Sequence, residues 1–242
     1  MKYSATEFAN SPLYGLPLVV FDFETTGVDP QECRAVELAV VHVELGKGNE
    51  EVVYCERFNP EIPIPHEASL VHGIFTKDVE DSKRIRDCWQ EILPLFEGRV
   101  LAGYNLAYDW QILCNEYVRT YGLSMGSISS PFGSNLYGIC GYVIAKFLDT
   151  EAMGGGYHTL ARVCERREIY LENAHSAYAD TLATAQVLDQ LFRELAYRMG
   201  KFPTMRDFWA WEKCQGIHQE QGLRNYLRGR GIENRIWPWT DY

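Results

Sequence analysis

Residues 16–24, LPLVVFDFE, form a β-branched and aromatic run that stops at a Thr-Thr-Gly turn, the pattern of a buried strand. Two carboxylates, Asp22 and Glu24, stand two apart at its C-terminal end, and a strand's period of two sends both out of one face. An isolated Asp-x-Glu is most often an acidic strand end facing water. Here Val19, Val20, Phe21 and Phe23 surround the pair, and like charges in such a setting need a cation or a proton. Whatever fold the chain adopts has to bring that compensation to the end of this strand.

Two more strand-like runs follow, 35–45 (AVELAVVHVEL) and 50–58 (EEVVYCERF), joined by a short GKGNE turn. Three strands with short connections predict an antiparallel meander. The segment 59–74, NPEIPIPHEASLVHGI, reads as an ordered loop holding at most a short helix. A helix is expected over 88–98, a fourth strand over 99–105, and a second helix over 107–122. Residues 123–143 have no clean period and read as a long loop or a small inserted element. A fifth strand is expected at KFLDT (146–150), a turn at GGGY (154–157) and a helix at 158–168. The clearest helix covers 177–200, where Leu182, Ala185, Leu188, Phe192, Leu195 and Met199 recur at helical spacing.

This order predicts an α/β fold: a mixed five-stranded sheet, its first three strands antiparallel, flanked by helices. Pro203 suggests a boundary, giving a domain over 1–200 and an aromatic-rich C-terminal extension over 201–242. No apolar run is long enough for a membrane span, and the N-terminus lacks the features of a secretory signal. The seven cysteines include no CxxC pair, which favours reduced core thiols, a cytoplasmic location and no zinc knuckle.

Net charge is −10, at first sight unsuited to a nucleic-acid partner. Residues 201–242 hold seven Lys and Arg against five Asp and Glu, so the acidity belongs to the body of the chain. Its meaning depends on where the carboxylates fall. Asp109 lies in the first turn of the second helix and shares a face with Ile112 and Leu113. Asp180 lies near the start of the long helix, within about 20° of the core positions Val187 and Leu191. His175 stands in the loop entering that helix. Four inward carboxylates and one imidazole thus converge from a strand end, two helix starts and a loop. Oxygen-only ligation selects Mg²⁺ or Mn²⁺, and two such ions can hold the attacking and leaving oxygens of a phosphoryl displacement.

The series Asp22-x-Glu24, Asp109, His175-x4-Asp180 resembles the DEDDh class of 3′–5′ exonucleases, the DnaQ-like group that includes the proofreading epsilon subunit of bacterial DNA polymerase III. DFETTG (22–27), GYNLAYDWQIL (103–113) and AHSAYADTLATAQVL (174–188) are similar to its three motifs, and the likeness covers residues 16–195. It implies an RNase H-like fold, with Asp22, Glu24, Asp109 and Asp180 as ligands of two divalent cations, Mg²⁺ or Mn²⁺, and His175 as general base. It also implies that the backbone of Thr25, Thr26 and Gly27 cradles the 3′-terminal nucleotide, that His72 approaches the same end, and that Asn105 contacts substrate. Tyr104 stands where the family often has histidine. The implied partner is nucleic acid with a free 3′ end, DNA favoured over RNA, cut to nucleoside 5′-monophosphates. No polymerase-binding segment is identifiable. The alternatives are an RNA 3′-end exoribonuclease and a non-catalytic binding module. The module would have lost one of the five site residues, and all five are present.

Overall fold

The computed structural model describes residues 10–122, 138–149, 156–172, 174–199 and 204–228. Strands β1 (Pro17–Thr25), β2 (Ala35–Glu44) and β3 (Glu51–Arg57) form the antiparallel meander. Strand β4 (Val100–Gly103) then pairs parallel with β1, and β5 (Gly138–Cys140) parallel with β4, giving the order β3-β2-β1-β4-β5. Helices α1 (His66–His72) and α2 (Thr76–Val79) lie in the proline-rich connection after β3. They are followed by α3 (Trp89–Phe96) and α4 (Leu106–Tyr121). Past β5 come α5 (Gly141–Leu148), α6 (Leu160–Arg166), α7 (Ala177–Met199) and α8 (Met205–Arg228).

The fifth strand is not where the sequence places it. Residues 146–148 belong to α5, and the strand is the three-residue segment Gly138–Cys140. A strand this short carries no period, and the apolar run GYVIAKFL fits a buried helix as well as a strand. Residues 123–137, most of the expected insertion, lie outside the described residues, as do Gly154 and Gly155 of the expected turn and the terminal tryptophans Trp237 and Trp239.

Period-two alternation along β1 sorts its side chains into two layers. Leu18 and Val20 join Leu188, Leu191 and Phe192 of α7, while Val19, Phe21 and Phe23 face Trp89, Ile92, Phe96, Ile112 and Leu113 of α3 and α4. Each such fully buried side chain contributes about 1.5–3 kcal/mol. The face under α7 therefore begins apolar and ends in Asp22 and Glu24. Helix α8 packs on α5 and β5. Its Met205 and Phe208 are fully buried, with the Phe208 ring 5.0 Å from Phe192. Glu212 of α8 accepts the Cys140 N–H at 2.6 Å, and burial pushes its carboxyl up to about 8. None of the seven cysteines forms a disulfide, and five are buried. No helix of the described residues is long and apolar enough to cross a membrane.

Candidate active site

The pairing of β1 with β2 shifts register between Glu24, opposite Glu37, and Thr25, opposite Ala35, which leaves Val36 of β2 as an extra residue. Such a bulge bends the strand that carries it, and this one lies beside the turn Thr25-Thr26-Gly27. Asp180, in the first turn of α7, meets Asp22 and Glu24 there: each offers a carboxylate oxygen within 4.8 Å of the others. Asp109 sits behind them, 3% exposed, and accepts the N–H of Phe23 at 3.1 Å. Phe23 is the residue between the two β1 carboxylates, so this bond fixes the start of α4 against the site.

Burial raises the Asp22 carboxyl well above the ordinary range, helped by the charges of Asp109, Glu24, Asp180 and Glu37. Glu24 is pushed up to about 8, again chiefly by burial and then by Asp180, Glu37 and Asp109. Burial also raises Asp109, against the pull of its backbone hydrogen bonds, and raises Asp180 against the opposing effect of His175. Among the described residues, no Lys or Arg pairs with Asp22, Glu24 or Asp180. Oxygen donors this close, repelling one another with no protein cation between them, suit a hard divalent ion.

In metal-free buffer the folded chain keeps protons on these carboxylates that the unfolded chain releases above the ordinary carboxylate range. Stability is thus greatest below that range and is lost as pH rises towards the value near 8 of Glu24. Melting in EDTA from about pH 5 to about pH 9 should show a falling Tm. Mg²⁺ or Mn²⁺ should restore it at the alkaline end and matter little at the acid end. A flat profile in EDTA would mean that the carboxylates do not share a buried site.

His175 adopts a left-handed backbone conformation, φ 70°, open to histidine more than to most residues. Its N–H faces both Asp180 oxygens, at 3.3 and 3.4 Å, and the residue is exposed. His72 ends α1 and is nearly buried. Its Nδ1 accepts the Ile74 N–H at 3.1 Å, so the neutral ring carries its proton on Nε2, which is buried beside the Thr25 backbone. Burial holds this imidazole below its ordinary value against a hydrogen bond at the Thr25 backbone and the charge of Glu37, with Arg57 and His175 acting alongside burial.

The Thr25 hydroxyl donates to the Gly27 carbonyl at 2.7 Å, and Tyr108 of α4 donates to the same oxygen at 2.8 Å. The Thr26 N–H donates to the Arg34 carbonyl, and its hydroxyl accepts the Arg34 N–H. A side chain on Gly27 would meet Cys33 only at 3.8 Å, so packing within the chain does not require glycine there. Asn105 is the N-cap of α4, but its carboxamide does not cap the helix. Tyr104 turns into the core, where its hydroxyl donates to the His158 carbonyl.

Two neighbours escape the sequence reading. Tyr108 braces the turn at Gly27. Glu37 of β2, directly opposite Glu24, is a fifth carboxylate of the cluster and is itself buried: it accepts Arg57 Nε at 2.9 Å and the Ala177 N–H at 3.0 Å. It thereby ties the start of α7, and with it Asp180, to the sheet. A glutamate inside the apolar run AVELAVV is the one signal the sequence offers for it.

Residues 19–188 match the exonuclease family typified by RNase T. A DNA polymerase III subunit epsilon-like protein of Rhodobacter capsulatus is 30% identical over 194 residues, which are 78% of this chain and 26% of that protein. The PolC-type DNA polymerase III of Bacillus subtilis is 28% identical over 179 residues, 74% of this chain and 12% of the polymerase. The chain thus spans only a small part of the length of these relatives. Among solved structures, exonuclease I superposes with a TM-score of 0.61 at 18% identity, covering 84% of this chain and 45% of that one. Cell-death related nuclease 4 gives 0.58 at 14% identity, covering 76% of this chain and 66% of that one. At these identities the likeness is one of fold, the RNase H-like mixed sheet. Sheet, carboxylate cluster and the match across 19–188 agree: this chain belongs to the RNase T-type, DnaQ-like family of 3′–5′ exonucleases.

Proposed function

We propose that the chain is itself an active 3′–5′ exonuclease, hydrolysing the terminal phosphodiester of DNA and releasing nucleoside 5′-monophosphates. The convergence of Asp22, Glu24 and Asp180, backed by Asp109, carries this reading. In it the four carboxylates hold two divalent cations, Mg²⁺ or Mn²⁺. When bound, these ions stabilise the charge that develops on the phosphate.

The remaining roles belong to the chain. His175 takes the proton from the attacking water. The backbone of Thr25, Thr26 and Gly27, stiffened by Tyr108, cradles the terminal nucleotide, and Asn105 lies at the same end of the sheet. His72, which ends α1 beside the Thr25 backbone, stands by that nucleotide. All of these residues fall within 1–200, which we assign as the exonuclease domain, with 201–242 as an extension that supplies no group to the chemistry. The relatives named as parts of DNA polymerase III support DNA as the substrate.

The test is digestion of 5′-labelled single-stranded DNA, duplex DNA and RNA side by side, with Mg²⁺ or Mn²⁺ and with EDTA. Shortening from the 3′ end of DNA, abolished by EDTA, is the expected result. Undiminished activity in EDTA would remove the cations from the mechanism, and turnover of RNA alone would move the substrate to RNA.

A further inference from the structure

Across the sheet, Glu24 pairs with Glu37 and Glu37 with Arg57, so the three form one row from the site to the edge strand β3. Directly opposed residues of an antiparallel sheet project from the same face. Two strand spacings put the Arg57 backbone about 10 Å from that of Glu24, within reach of a long side chain. The guanidinium is anchored: its Nε donates to Glu37 at 2.9 Å. Its two Nη groups have no partner among the described residues, and the side chain is 51% exposed.

The surroundings sharpen this. His72 lies close enough to Arg57 for the guanidinium to oppose a proton on its ring. Otherwise this end of the sheet is a field of carboxylates, which repels a polyanion wherever cations do not intervene. A planar fork of N–H donors, held in advance by a buried carboxylate, matches a phosphate in shape and charge. Anchoring also lowers the entropy lost when it binds.

We propose that Arg57 is a substrate-binding residue that holds a second phosphate of the strand, next to the one being hydrolysed, with Glu37 fixing its guanidinium. This rests on the exonuclease reading. The second phosphate is either an internal phosphodiester or a phosphate on the 3′ terminus. The competing role, mere neutralisation of Glu37, gives Arg57 no contact with substrate.

The experiment uses the full chain with Mn²⁺ and three substrates: an oligonucleotide ending in a 3′-hydroxyl, the same strand ending in a 3′-phosphate, and the p-nitrophenyl ester of thymidine 5′-monophosphate. Arg57→Gln should raise KM for an oligonucleotide about ten-fold, the worth of one charge-assisted pair. Its kcat should change little, and the slope of log KM against log salt should become shallower by about 0.7. A rise on both strands identifies an internal phosphodiester, and a rise on the 3′-phosphorylated strand alone identifies the terminal phosphate. Arg57→Lys keeps the charge and the pair with Glu37 but loses the fork, so KM should still rise while the salt slope stays. That variant decides the matter if the glutamine variant fails to fold.

Unchanged KM and slope on both strands would overturn the proposal, as would a wild-type KM in Arg57→Lys. So would an equal loss on the p-nitrophenyl ester, which has no second phosphate, because Arg57 would then be acting on the carboxylate site through Glu37. If the wild-type chain hydrolyses none of the three, the exonuclease reading itself fails and takes this assignment with it.

Discussion

Replacing Asp22 by asparagine should abolish hydrolysis while raising the melting temperature of the metal-free protein. Both effects follow from one geometry. Asp22 shares a site with Glu24 and Asp180, and burial together with the charges of Asp109, Glu24, Asp180 and Glu37 holds its carboxyl far above the ordinary range. An amide of the same shape removes a charge that the folded state tolerates poorly, so each kcal/mol recovered should appear as about 2–4 °C in Tm. The same amide removes a negative ligand where cations are needed. The loss in turnover should reach about 10²–10³-fold or more, as when a preorganised electrostatic group is deleted. Calorimetry in EDTA and in Mn²⁺ separates the two effects: the variant should gain stability in EDTA and lose most of the gain that Mn²⁺ gives the wild type. A sharp fall in Tm in EDTA would show that Asp22 holds the fold together instead.

How much of this was legible in the sequence depends on the range of the interaction concerned. Asp22 and Glu24 could be placed because the period of a strand is local, and Leu18 and Val20 declare which face they share. Asp109 and Asp180 could be placed because both lie in helix first turns with apolar neighbours at fixed angular offsets. The partnership of Glu37 with Arg57 could not. It depends on the register between β2 and β3, and that register shifts at a bulge between Val40 and Val41 that no local pattern announces. Tyr108 is hidden for a similar reason, since its bond to Gly27 spans 81 residues. Strand β5 was misplaced because three residues supply no periodicity, whereas the helix after it supplies apolar side chains in abundance. Tyr104, which stands where the family often has histidine, is a core residue bonded to the turn before α6.

His175→Gln should reduce turnover by about 10²–10⁴-fold, the usual worth of a general base, while leaving cation binding nearly intact. The geometry separates these two consequences. The link from His175 to the carboxylate site is made by its backbone N–H, which faces both oxygens of Asp180 and survives any side-chain replacement. The imidazole is therefore free for a different task. Glutamine keeps a hydrogen-bonding group there but cannot take a proton from water, so it tests chemistry apart from shape. The alternative is that His175 serves the chain only by adopting the left-handed turn, φ 70°, that delivers residues 176–180 into α7. Under that alternative glutamine costs stability and leaves the rate per folded molecule unchanged, whereas asparagine, which tolerates this conformation well, restores the stability. Three measurements distinguish the readings: Mn²⁺ binding by calorimetry, Tm, and kcat at saturating oligonucleotide. A base predicts a collapse in kcat with the first two preserved, and a partial recovery at high pH as solvent hydroxide replaces the missing proton acceptor. A folded His175→Gln protein that turns over at near the wild-type rate would remove His175 from the chemistry and leave the carboxylates to act alone.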